Sequence, residues 1–378
     1  MVATTKQTLT LKKGRGARRG KESIYYFSQW QLMWLKFTKH KLAVVGGIVV
    51  CILYLTSLFH PFLAPYNAIE RTKYIHFKPQ KVHFFSEGRL TWPFVYDITS
   101  IVDPVKYDRI YVEDTETMYP INFFVRRGEY KLFGVFKSSL HLFGVPEGGD
   151  ILLLGTDELG RDMFSRVLYG SAISLSIGLV GVFLSFILGI VLGGVSGYYS
   201  GVIDTIIQRV IEFLLSMPTI PLWMALSVAI PTDWPATKTY FAITIILSLR
   251  GWCGLARVVR GKLLETREED FVMAAKLLGS SDIRVILRHM LPTFLSYLIV
   301  DMTLAIPGMI LGETTLSFLG LGLRPPVVSW GVLLQKAINI RVVATYPWLM
   351  IPAIPVIFTV LAFNFMGDGL RDAADPYK

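Results

Sequence analysis

Charged residues are scarce: Asp, Glu, Lys and Arg make up only 17% of the 378 residues, where an average soluble domain carries about 25%. The apolar share is 52% and the mean hydropathy +0.49, which together exclude an ordinary soluble enzyme of this length. Cysteine is nearly absent too. Cys51 and Cys253 both fall in apolar runs and read as small buried residues rather than a disulfide, and no metal-ligand spacing is present. The chain also lacks a G-x-x-x-x-G-K-S/T loop; Gly20-Lys21 is followed by Glu22 and has no first glycine. A phosphate cradle of the usual kind is therefore excluded. A cleavable leader is not expected either. The first apolar run begins near Leu42 without a small-residue cleavage site, so it is expected to stay as an anchor.

What is present is apolar length. Several nearly charge-free blocks reach about 20 residues, enough to cross a hydrocarbon core of about 30 Å. The expected spans are 42–60, 168–195, 206–230, 239–257, 293–312 and 347–366. Pro218 and Pro221 fall in the third, Pro307 in the fifth, and Pro352 and Pro355 in the sixth. The second carries Gly189-x-x-x-Gly193-x-x-x-Gly197, a spacing that lets helix backbones approach closely in lipid. The fold class is an all-α polytopic membrane protein of six transmembrane helices, so both termini face one side.

The net charge of +10 is concentrated at two places. Lys6, Lys12, Lys13, Arg15, Arg18, Arg19 and Lys21 crowd the N-terminus, and a second basic group lies between Arg257 and Arg288. Both flank spans, which points to retention on the cytoplasmic side rather than to nucleic acid. Both termini and the 258–291 stretch are then cytoplasmic. Residues 1–41 form a basic tail, expected to be disordered over 1–22, followed by an amphipathic interfacial helix over 23–39. Residues 61–160 carry balanced charge and alternating aromatics and are expected to be a small β-containing extracytoplasmic insertion. Its clearest element is a hairpin over 120–136 turning at Arg127-Gly128. Residues 161–378 supply the other five spans and a cytoplasmic hairpin over 265–291.

That hairpin is polar in a greasy chain. In EEDFVMAAKLLGSSDIRVILRHMLP (268–292), Phe271, Ala274, Ala275 and Leu278 recur at helical spacing, as do Ile283, Ile286, Leu287 and Met290. Gly279 suits the left-handed residue that ends a helix, and Ser280, Ser281 and Asp282 can cap the next. Pro292 opens the following span. Two short helices at a sharp bend form either a packed loop or a docking element for a soluble partner.

These residues resemble the cytoplasmic signature of binding-protein-dependent ABC importer permeases: Met273-Ala274-Ala275, then Gly279, Ile283, His289 and Leu291-Pro292. Met273 replaces the usual glutamate; Glu269 or Asp270 could compensate. LGTDELGRDMFSRVLYG (154–170), GYYSGVID (197–204), ETTLSFLGLGLRPPVVSWG (313–331) and LAFNFMGDGLRDAADP (361–376) are similar to the C-type permease subunit of the oligopeptide/dipeptide branch. The resemblance implies a type I importer permease fold in a bacterial or archaeal cytoplasmic (inner) membrane. It implies as partners a homologous second permease, two cytoplasmic ATPase subunits and an extracytoplasmic substrate-binding protein. No cofactor is expected on this chain; ATP and Mg would sit on the ATPases. The ATPase-coupling set is then Glu269, Asp270, Phe271, Met273, Ala274, Ala275, Leu278, Gly279, Ser281, Ile283, His289 and Pro292. Pro218, Pro221, Asp301, Pro307 and Glu313 are candidates for the translocation path or its gating.

Charges inside spans usually face a partner or a wet cavity. Asp301 and Arg250 are expected to pair with each other near the cytoplasmic end, and Arg209 with Glu212 one turn away. An intramembrane serine protease is the competing class, because Gly194-Val195-Ser196-Gly197 reads G-x-S-G at the end of a span. The only later histidine, His289, lies in the hairpin, so the nucleophile lacks a base. A passive channel or secondary transporter would favour inverted repeats, and none is visible. The expected cargo is oligopeptide, with oligosaccharide or another small solute as the alternative.

Overall fold

The computed structural model of the chain describes residues 29–86, 89–102 and 109–374. The basic tail over 1–22 and the beginning of the interfacial helix lie outside the described residues. The rest of that helix is α1 (Gln29–Lys39). Its Phe37 is buried against Ala43 and Ala373, so α1 is docked on the bundle. His40 then caps α2 (Lys41–Leu58), its Nδ1 accepting from the Ala43 amide at 3.2 Å. At a rise of about 1.5 Å per residue, these 18 residues span roughly 27 Å, close to the hydrocarbon thickness. A single turn, α3 (His60–Leu63), leads out.

The β-containing region follows. Strands β1 (His83–Ser86), β2 (Arg89–Val102) and β3 (Arg109–Pro120) form one antiparallel sheet in that order. Strands β4 (Asn122–Leu132) and β5 (Phe136–Gly144) form a separate hairpin. Tyr66, Tyr74, Phe77, Val95, Ile98, Ile121, Ile151 and Leu152 make the region's own core. The hairpin does not turn at Arg127-Gly128. Its register is irregular between Arg126 and Tyr130, and the chain reverses after Leu132, which pairs with Phe136. Phe133 and Gly134 supply the left-handed conformations of the turn, at φ 52° and 73°. Gly128 has no positive φ among the described residues and lies in the bulged part of β4 instead.

The helical core comprises α4 (Met163–Tyr199), α5 (Gly201–Ser216), α6 (Thr219–Val228), α7 (Ala236–Thr266), α8 (Asp270–Leu277), α9 (Asp282–Arg284), α10 (Leu295–Phe318), α11 (Trp330–Leu334), α12 (Ile340–Thr345) and α13 (Ala353–Ala374). Among the described residues five helices are long and apolar enough to cross a membrane, or six if the α5–α6 pair counts as one. The third expected span is not a single helix. The chain bends by 92° between α5 and α6, where Pro218 takes the N-cap position and Pro221 falls in the first turn of α6. Both prolines occupy places where a missing N–H is tolerated. Pro307, by contrast, is inside α10 and buried.

Packing fixes the directions of these helices. Along α4 and α7, Gly181 lies by Ser248, Gly189 by Leu255, Gly193 by Ala256 and Gly197 by Arg260. The two helices therefore run parallel, and the α5–α6 pair must return the chain from the end of α4 to the start of α7. α10 runs the other way: Leu298 packs in one cluster with Val259 and Leu263, and Glu313 reaches Ser174. α2 and α13 are antiparallel, with Gly46 against Ala362 and Gly369 against Ala43. The end of α13 and the start of α2 consequently lie at the hairpin end of the bundle. The β-containing region sits at the opposite end.

Candidate functional site

The 265–291 hairpin is built on the ends of the core helices. α8 closes with a two-bond cap: Gly279 N–H donates to Lys276 O at 2.9 Å and Ser280 N–H to Ala275 O at 3.1 Å. Gly279 is left-handed at φ 77°, which its missing Cβ permits. Ser281 takes the next N-cap position, yet its side chain makes no capping bond. The exposed Asp282 reaches back to α4 instead, accepting from Tyr198 Oη at 2.6 Å. A π-helical turn, Val285–Met290, and a tight turn over Leu291–Phe294 carry the chain into α10. Pro292 lies exposed at the start of that tight turn, and His289 is half-buried in the preceding one.

One side of the hairpin is welded to the bundle. Val272, Ala275, Val285 and Met290 share a core with Leu255, Val259, Leu263, Phe294, Leu298 and Tyr198. The other side is bare and apolar. Leu277 and Leu278 are 89% and 86% exposed, and Phe271, Met273, Ile283 and Leu287 are exposed as well. Of the four residues that share helical spacing, Ala275 is buried with Val272, while Phe271, Ala274 and Leu278 face outward. Glu269 takes the N-cap position of α8 without a side-chain capping bond. Neither Glu269 nor Asp270 makes an ion pair within the chain among the described residues; the nearby pair is Arg267–Glu268 at 3.1 Å.

Below the hairpin lies a polar lock that spacing alone did not reveal. Arg260 on α7 donates twice to Asp204 on α5, each at 2.6 Å. Ser196 Oγ donates to the same carboxylate and accepts from Gln208. Arg267 reaches the Tyr198 carbonyl and Ser200 Oγ, at 3.4 and 3.1 Å. Lys276 lies 4.8 Å over the Tyr198 ring. The GYYSGVID stretch thus joins α4, α5, α7 and the hairpin into one body. Ser196, the nucleophile a protease would need, is fully buried within this lock.

The charges within the bundle have other partners than expected. Arg250 does not pair with Asp301. Its Nη1 donates to Met217 O at 2.8 Å and to Thr219 Oγ1, so the guanidinium holds the α5–α6 break, where unwound backbone offers free carbonyls. Asp301 lines a cavity of about 1120 Å³ at the hairpin end, with His40, Tyr297, Asp368, Arg371 and Asp372. Arg209 and Glu212 do meet, at 2.8 Å. Glu313 is fully enclosed and accepts from Ser174, Ser317 and Ser329 at 3.0, 2.8 and 2.7 Å. It braces α4, α10 and the loop before α11 and is not among the residues lining the cavity of about 1120 Å³.

At the opposite end, the LGTDELGRDMFSR stretch knots the β-containing region to α4. Asp157 accepts from Arg161 Nε at 2.8 Å and pairs with Arg166. Burial works against its charge, but the Arg161 and Arg166 guanidiniums win and hold the carboxyl below its ordinary value. Asp162 caps α4 by accepting from the Ser165 amide at 2.8 Å. Complete burial pushes its carboxyl up to about 6.

Comparison with known proteins gives these features a family. The sequence pattern of the binding-protein-dependent transport system inner membrane component matches residues 161–377. That of the N-terminal TM domain of oligopeptide transport permease C matches 28–79. Most of the β-containing region falls between the two. The dipeptide transport system permease protein DppC of Bacillus subtilis is 39% identical over 243 residues, covering 64% of this chain and 73% of that one. The oligopeptide permease OppC of Haemophilus influenzae is 41% identical over 223 residues, covering 59% and 69%. OppC of Bacillus subtilis is 34% identical over the same length, covering 59% and 70%. A solved structure of the MetNI methionine ABC transporter superposes with TM-score 0.43 at 18% identity, over 56% of this chain and 97% of that one. The chain belongs to the inner-membrane permease family of binding-protein-dependent transporters, in its oligopeptide and dipeptide C-type branch.

Proposed function

We propose that this multi-pass permease is half of the translocation path of an ATP-driven importer for oligopeptides. A homologous permease supplies the other half, two cytoplasmic ATPases bind ATP and Mg and do the hydrolysis, and an extracytoplasmic binding protein delivers the cargo. The hairpin end faces the cytoplasm, together with both ends of the chain. The names of the relatives, dipeptide and oligopeptide permeases, favour a peptide cargo.

The observation that carries this reading is the two-sidedness of the hairpin: an exposed apolar knob at Leu277, Leu278 and Ile283 on a base fused to α4, α7 and α10. A knob of this kind is a docking surface. Because its base shares a core with three helix ends, displacement by a partner passes directly into the bundle. The Arg260–Asp204 and Tyr198–Asp282 bonds keep the lever from slipping against α4 and α5. Further along, the bend at Pro218, held by Arg250, is the place where α5 and α6 can change their angle with little loss of helical hydrogen bonding.

Cysteines at Ala274 and Leu278 are expected to crosslink to the ATPase subunit in the assembled transporter, and Leu278→Glu to abolish uptake of a labelled oligopeptide in proteoliposomes. Crosslinks that never capture a nucleotide-hydrolysing subunit, or uptake by the permease pair alone, would refute the reading. Peptide binding protein recovered with another solute would shift the cargo and leave the coupling scheme intact.

A further inference from the structure

The tip of the β4–β5 hairpin lies against the end of a membrane span. Phe133 packs edge-on against Phe59, which follows α2 directly, with ring centroids 5.6 Å apart. Phe133, Gly134 and Lys131 line a cleft of about 360 Å³ together with Tyr54, Ser57 and Ala172. Tyr54 is one turn inside the end of α2, and Ala172 is more than two turns inside α4. Since α2 has about the length of the hydrocarbon core, the turn reaches down to the boundary between acyl chains and headgroups.

The surface the tip offers there is apolar with a basic collar. Val135 is 74% exposed, Phe136 is 66% exposed, and Phe133 is exposed beside them. Just above, Lys131 and Lys137 sit directly opposite each other across the two strands. Both line a second cleft of about 340 Å³ with His60, Asn67, Tyr169 and Glu129, the last its only carboxylate among the described residues. Like charges facing each other on adjacent strands are destabilising unless an anion lies between them. Aromatic and aliphatic side chains below a pair of lysines match the two layers of a phospholipid, acyl chain below and phosphate above.

We propose that the 131–137 tip is a lipid anchor: Phe133, Val135 and Phe136 enter the leaflet on the β-region side, and Lys131 with Lys137 bind the phosphate of an anionic phospholipid. This inference rests on the membrane-spanning reading of α2 and α4 but on neither the cargo nor the ATPase partners. It gives the β-containing region a fixed height and tilt over the bundle.

The test uses the full chain, assembled with its partners, in vesicles of phosphatidylcholine alone or with one quarter phosphatidylglycerol. In a Cys51→Ser, Cys253→Ser background, Val135→Cys carries an environment-sensitive fluorophore, with Glu147→Cys as the control. The Val135 probe is expected to be quenched at least threefold more by shallow spin-labelled lipid than the control, and to be shielded from aqueous iodide. Phosphatidylglycerol is expected to raise the melting temperature of the native protein, and Lys131→Gln with Lys137→Gln to remove that rise. A probe open to iodide would overturn the anchor. So would a probe shielded from iodide yet untouched by spin-labelled lipid, which would assign the tip to a protein neighbour. Peptide uptake measured on the same vesicles reports separately on the transport function.

Discussion

Asp157 and Asp162 lie five residues apart at the start of α4 and titrate in opposite senses. Asp157 is held below its ordinary value, so its contribution to stability is present above that value and lost as pH falls through the lowered one. Asp162 runs the other way. Burial raises its carboxyl from 3.8 to about 6, so the folded chain holds the proton more tightly than the unfolded one. Its contribution is complete below 3.8 and is lost as pH rises to about 6. Asp162→Asn keeps an acceptor for the Ser165 amide and removes the ionisation. The variant is expected to gain on the wild type by on the order of 2 kcal/mol between pH 4.5 and 7.5. Melting temperatures in detergent at the two pH values measure this, and an unchanged gap between the proteins would contradict it.

Several paired side chains were hidden at this scale for one reason: their partners are distant in sequence or belong to the backbone. Asp204, Arg260 and Asp282 are ordinary surface charges until the fold sets α4, α5 and α7 side by side. Arg250 and Asp301 are the two charges nearest in expectation, yet the broken helix offered Arg250 a carbonyl at Met217 that no composition rule lists. Which face of the hairpin is buried was not legible, because Phe271, Leu277, Leu278 and Ile283 are as apolar as the buried Val272 and Val285. Helical periodicity finds the inner face only when the outer one is polar.

Among the elements, the legible part was the glycine ladder. Gly189, Gly193 and Gly197 mark one stripe of α4 in the sequence, and that stripe is the seam with α7. A Cβ built on Gly193 would stand 2.5 Å from the Ala256 carbonyl oxygen, and one on Gly197 2.7 Å from that of Arg260. The neighbours are backbone and cannot swing aside. Gly193→Val is therefore expected to lower the melting temperature markedly, by the equivalent of about 1–3 kcal/mol, and to reduce assembled transporter in the membrane. Gly254 faces open space, so Gly254→Ala should be neutral or slightly stabilising. Equal effects at the two positions would show that the seam does not depend on close backbone approach. The partner of the ladder was not legible, since small-residue spacing identifies a surface and not what covers it. The β4–β5 turn was misplaced by six residues because two glycines compete for it, and only cross-strand pairing selects Gly134 over Gly128.

For the whole molecule, the open question is whether the α5–α6 pair crosses the membrane. Length and hydropathy allow five spans or six, and the sequence alone assigned a single third span. The parallel run of α4 and α7 decides the matter geometrically: the chain leaves α4 at the hairpin end, yet α7 begins beside Ser176, where Tyr240 Oη donates to Ser176 Oγ at 3.1 Å. The pair must climb the height of the bundle despite its 92° bend. Topology then follows by counting. If the pair is a crossing, three crossings separate the β-containing region from the hairpin, and the two lie on opposite sides. If it were a re-entrant loop, two crossings would separate them and they would share a side. Cysteines placed at Glu116 and Leu278, in a chain freed of Cys51 and Cys253, are expected to differ in labelling by a membrane-impermeant maleimide. In intact cells Glu116→Cys should label and Leu278→Cys should not, and in inverted vesicles the order should reverse. Labelling of both from one side would make the pair re-entrant, move the hairpin away from any cytoplasmic ATPase, and remove the physical basis for coupling.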